Sequence, residues 1–151
     1  MDVELLEARW RMGRILTSDL RGIGAELAAA GQGAGAVAAL AEGRSDARET
    51  FELVLAELGG GSMTDERAAL VLARRFARLL LDGESPPDLT VKAIAGLRWR
   101  GGSGVDDALA PFAALHERYE RAKLAGPLAR LTGPLLDRRA RGLAEALAAG
   151  A

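Results

Sequence analysis

Gly59-Gly60-Gly61-Ser62-Met63-Thr64-Asp65-Glu66 is the stretch on which the organisation of this chain turns. Three glycines and a serine make a flexible connection. The residues after them read like a fresh start of translation: a Met, then a Thr able to cap a helix, with two acidic residues in its first turn. Two explanations fit. The stretch is a natural loop between helices, or it is an engineered join between two polypeptides, the second beginning at Met63. The composition changes at the same place. Residues 1–61 carry 6 Arg against 10 Asp plus Glu, a net charge of −4, and no proline. Residues 62–151 carry 14 Lys plus Arg against 11 Asp plus Glu, a net charge of +3, and all five prolines. Opposite charge favours docking of one part on the other, or on a second copy.

C-terminal to the junction, apolar residues keep a helical period. A helix capped by Thr64 carries Ala69, Leu70, Ala73, Phe76, Ala77, Leu80 and Leu81 as a broad apolar set, which implies burial on more than one side. Gly83 to Pro87 stops it. A further helix opens at Asp88 or Thr90 and runs to about Arg100, and another spans about Asp107 to Ala125, with Pro111 in its first turn. Gly126-Pro127 ends that one. A short helix comes next, and Thr132-Gly133-Pro134 opens the last, to about Ala149.

On the N-terminal side, Leu5, Ala8, Met12, Ile15/Leu16, Leu20, Ile23 and Leu27 form one stripe. They predict a long amphipathic helix from Asp2, its N-cap, to about Ala30. Glu7 and Arg11 form an i,i+4 pair on it. Such a helix would measure about 42 Å, more than a small domain is wide, so it bends at Gly13, Gly22 or Gly24 or projects towards a partner. The run Ala30 to Gly35 is a flexible break, Ala36 to Glu42 a short helix, and Asp46 to Glu49 a capping box opening a helix striped by Phe51, Val54, Leu55 and Leu58.

The fold class is therefore all-α: a bundle of six or seven helices with a long N-terminal amphipathic helix. Residues 1–58 form an acidic helical segment, 59–62 a Gly-rich linker, and 63–151 a basic helical bundle sharing one core with 1–58. Composition agrees. The 151 residues include 31 Ala and 25 Leu but only 9 Val plus Ile, which suits helices and disfavours sheets. Apolar content of 49% and a net charge of −1 exclude a disordered chain. Absence of Cys excludes a disulfide scaffold and a thiolate metal site. No run approaches the roughly 18 consecutive apolar residues of a spanning helix, and the N-terminus is acidic where a secretory signal would be basic. The expected location is the cytoplasm, with no membrane association.

Chemistry-bearing residues are sparse. His116 and Glu120 share a helical face, but a zincin needs a second His, and His116 is the only one in the chain. No Gly-x-Ser-x-Gly elbow occurs, and the glycines of Gly31-Gln32-Gly33-Ala34-Gly35 come after no strand, so they make no dinucleotide loop. No catalytic residue, cofactor or metal ligand is assigned. Arginine stands out: 18 of 20 basic residues are Arg, and both tryptophans lie among them. Arg9, Trp10, Arg11 and Arg14, with Arg98, Trp99 and Arg100, form the candidate interaction surface, since aromatic residues and Arg concentrate at interfaces. The expected function is a non-enzymatic helical protein-interaction module, an assembly factor, small subunit or regulatory protein acting through helix–helix association. Its partner is another protein or a second copy. An alternative is an Arg-rich nucleic-acid-binding protein, with arginines on phosphates and tryptophans on bases; the connection from Asp82 to Pro87 is too long for the turn of a helix-turn-helix. A second alternative is a helical small-ligand binder or enzyme.

Overall fold

The computed structural model describes residues 1–43, 46–125 and 129–150, and every regular element among them is helical. Eight α-helices are present among the described residues: α1 Val3–Arg11, α2 Leu20–Ala29, α3 Gly35–Glu42, α4 Ala47–Glu57, α5 Asp65–Leu81, α6 Pro87–Gly101, α7 Asp106–Leu124 and α8 Ala129–Ala149. They fall into two compact units, Met1–Thr64 and Asp65–Ala151.

In the first unit, the long helix expected from Asp2 to Ala30 is two helices. Asp2 caps α1 as expected, its carboxylate accepting from the Leu5 amide. The helix then stops at Gly13, where φ is 62°. Its amide donates to the Trp10 carbonyl (2.9 Å), and the Arg14 amide reaches back to the Arg9 carbonyl (2.7 Å). This is a Schellman closure, and it needs the left-handed residue that glycine supplies without steric cost. A 3₁₀ turn at Thr17–Asp19 then leads into α2. The apolar period survives the break. Ala8, Met12, Ile15, Leu20, Ile23 and Leu27 are all buried, and of the stripe Leu16 is the residue left exposed. The same pair of bonds closes α2 at Gly31, α4 at Gly59 and α5 at Gly83.

The first core is built from Leu6, Ile15, Leu20, Ile23, Leu27, Val37, Leu40, Phe51, Val54 and Leu55. Asp46 caps α4 through bonds from the Arg48 and Glu49 amides. Glu57 of α4 caps α3 from outside, accepting from the Ala36 and Val37 amides. The α2–α3 crossing is tight: a Cβ on Gly24 would lie 2.8 Å from the Ala41 nitrogen.

The second unit is a four-helix bundle in which α5 packs on α6 and α8, and α7 on α6 and α8. The broad apolar set of α5 is explained by those two neighbours. Small residues let the helices close up. Ala68, Ala69, Ala73 and Ala77 are fully buried, and a Cβ on Gly101 would lie 2.8 Å from the Ala69 Cβ. Leu72, Leu80, Val91, Ile94, Leu97, Leu109, Phe112 and Leu115 fill the centre. Tyr119 of α7 donates a 2.8 Å hydrogen bond to Asp137 of α8. Burial, then the Asp137 carboxylate and the charge of Asp88, push the phenol well above its usual range.

The proline-bearing boundaries differ from expectation. Pro87 takes the first position of α6, where its missing N–H costs nothing. Pro134 does not open a helix: α8 already starts at Ala129 and carries Pro134 inside it, merging the two terminal helices expected. Pro111 likewise stands sixth in α7, because that helix begins at Asp106. Splitting the first helix adds one and merging the last two removes one, so these changes cancel, and the eight helices exceed the six or seven expected. The Gly126-Pro127 stop lies outside the described residues.

Candidate interaction surfaces

The two Arg–Trp clusters have different surroundings. In the first unit, Trp10 is half-buried between α1 and α4. Its ring meets Phe51 edge-on with centroids 4.9 Å apart, its Nε1–H donates to Glu52 Oε1, and the Arg48 guanidinium lies 5.5 Å from its centroid. These contacts join α1 to α4 and occupy the indole on two sides and at its tip. Arg11 turns back onto Glu7 at 3.5 Å. Arg9 and Arg14 are exposed.

In the second unit, Trp99 near the end of α6 is 88% exposed. Arg98 beside it is held by Asp106 at 2.8 Å, while Arg100 is exposed. Leu89, Lys92, Gly96, Trp99 and Arg100 follow steps of three and four residues and lie on one outward stripe of α6, every one of them exposed. Gly96 is unusual in the middle of a helix, where it costs about 1 kcal/mol relative to Ala. Nothing lies within 4 Å of where its Cβ would be, so packing within the unit does not demand a glycine there.

A counterpart of opposite charge stands on the first unit. Glu49, Glu52, Leu53 and Ala56 share the outward stripe of α4, and Leu53 is 63% exposed. The expected surface did not include these residues. The signal was present in the sequence, since Leu53 falls off the Phe51, Val54, Leu55 stripe that faces the core.

The junction Gly59–Ser62 is built around a buried carboxylate. Glu7 is 4% exposed. Its Oε1 accepts from the Met63 amide at 2.7 Å, and the Gly61 amide also donates to it. Burial on its own pushes this carboxyl up; the two amides and Arg11 outweigh that and hold it below its ordinary value. Gly60 makes room for the arrangement, for a Cβ there would lie 2.9 Å from Glu7 Oε2. Met63 itself is buried, 7% exposed.

Other clusters hold less chemistry. His116 Nδ1 lies 4.0 Å from Glu120 Oε1, the oxygen that also takes Lys123 at 3.0 Å. That lysine holds the exposed Glu120 carboxyl below its usual range. Among the described residues, no group of three or more His, Cys, Asp or Glu is placed to hold a metal ion, and no helix is long and apolar enough to cross a membrane. A groove of about 330 Å³ opens between α5, α7 and α8, walled by Leu70, Arg74, Pro111, Phe112, Leu143 and Leu147 among others. No known protein family, curated protein or solved structure matches this chain.

Proposed function

We propose that the chain is a helical protein-interaction module, and that it associates with a second copy of itself through the Trp99 stripe of α6 and the Leu53 stripe of α4. The observation that carries this reading is Trp99, a large aromatic left 88% in water on a helix that buries its other face. Tryptophan and Arg are enriched where proteins meet. The α6 stripe sets Lys92 and Arg100 around Leu89 and Trp99, and the α4 stripe sets Glu49 and Glu52 around Leu53. Apolar centres flanked by opposite charges suit helix-on-helix docking, with the charges setting register and encounter rate. Gly96 would let a partner helix approach the α6 backbone.

Mass in solution tests this directly. Sedimentation at micromolar concentration and low salt should give a dimer or larger species that weakens as salt rises. Trp99→Ala, Leu53→Ser and Glu49→Lys should each weaken association at least tenfold. As surface changes they should shift unfolding by no more than about 0.5 kcal/mol. A wild-type chain that stays monomeric overturns the proposal, as does an oligomer indifferent to all three substitutions.

A further inference from the structure

We infer that the groove between α5, α7 and α8 is a binding site for a single-chain amphiphile with one anionic head, such as a medium-chain carboxylate. The walls are almost wholly apolar: Leu70 from α5, Pro111 and Phe112 from α7, and Leu143 and Leu147 from α8. The exception is Arg74. Its Nε is buried and has no hydrogen-bond partner among the described residues. A buried donor on a permanently charged group is costly to leave unpaired, and native structures rarely do so without a reason. No other described residue of the lining gives it an acceptor.

The chemistry of the occupant comes from that mismatch. Arg74 is partly exposed with its Nε–H buried on the groove side, and a guanidinium so placed can grip a planar anion with two parallel bonds; a carboxylate has that shape. The leucines and Phe112 call for a hydrocarbon chain. Among the described residues of the lining Arg74 is the one cation, which suits a singly charged head rather than a diphosphate. The volume, about 330 Å³, is at the lower end for small-molecule sites, so it fits one short chain and not a two-chain lipid. Arg74 stands one helical turn after Leu70 on α5, and both line the groove.

Calorimetric titration of the full chain with decanoate, and with decanol as the neutral-headed control, tests the site. Decanoate should bind with at least tenfold higher affinity than decanol. Arg74→Gln should remove that preference and leave decanol binding unchanged. Leu147→Trp, which fills the groove while keeping Arg74, should abolish both. Equal binding of the two ligands overturns the inference. So does a decanoate affinity that survives Arg74→Gln, or one that survives Leu147→Trp. If Arg74→Gln unfolds the chain, the decanoate-to-decanol ratio and the Leu147→Trp variant still decide it. Because neither ligand touches the α6 stripe, a negative result here leaves the association proposal standing.

Discussion

Glu7 illustrates how one side chain sets local stability. Its neighbours on α1 are apolar and buried, and a carboxylate among them would be costly without donors. The Met63 and Gly61 amides and Arg11 supply those donors. A carboxyl held below its ordinary value stabilises the fold when ionised. The contribution is therefore complete above the unfolded value of about 4.5 and is lost as pH falls from there through the lowered folded value. Glu7→Gln should cost about 1–3 kcal/mol at neutral pH, the usual range for a hydrogen-bonded charged group. It should also flatten the loss of stability on the acid side, read from urea midpoints as a function of pH. An unchanged acid limb would mean that another carboxylate carries it. The sequence revealed the Glu7–Arg11 pair through its i,i+4 spacing. It did not reveal that Glu7 is buried, because the donors come from Gly61 and Met63, far along the chain.

At the scale of elements, the 3.6-residue period identified helical character correctly but misplaced helix ends and divisions where glycine or proline intervened. Gly13, Gly22 and Gly24 all read simply as weak points in one helix. The structure gives each a different part. Gly13 ends α1 with a left-handed turn, Gly24 lets α3 press against α2, and Gly22 faces open space. No periodicity separates these parts, because they depend on what lies across the crossing. Gly22→Ala should stabilise the first unit by up to about 1 kcal/mol, as alanine is the better helix former. Gly24→Ala should destabilise it by about 1–3 kcal/mol, because the new methyl meets the Ala41 backbone rather than a yielding side chain. Chemical denaturation of the two variants gives the comparison. Pro134 misled in the opposite way: a helix breaker by propensity, it is absorbed into α8 after its first turn.

For the whole molecule, the all-helical architecture followed from Ala and Leu content and the scarcity of β-branched residues. The two compact units, Met1–Thr64 and Asp65–Ala151, meet along the chain close to where charge and proline usage change. What composition could not place was the edge of the first unit, which runs to Thr64 because Glu7 holds the loop beyond α4. A fragment of residues 1–64 should accordingly fold more stably than one of residues 1–58, by about 1–3 kcal/mol, since the shorter piece strips Glu7 of two amide donors. Thermal melts followed by circular dichroism check this. Equal melting would show that the loop adds nothing to the unit it closes. The candidate surface was half legible. Of the proposed surface, Trp99 and Arg100 stand out in the sequence as an Arg-flanked tryptophan and Leu53 as a leucine off its helix stripe, whereas Glu49 and Arg74 needed the helices to be set beside their neighbours.

The two indoles give the chain a pair of optical reporters, one in each unit. Trp10, braced against Phe51 and bonded through its ring nitrogen, emits from a shielded setting. Trp99 emits from water. Iodide should extinguish the second and spare the first. Self-association would protect Trp99 and shift its emission to shorter wavelength, whereas unfolding of the first unit would shift the emission of Trp10 to longer wavelength. One unlabelled spectrum can thus distinguish docking from unfolding.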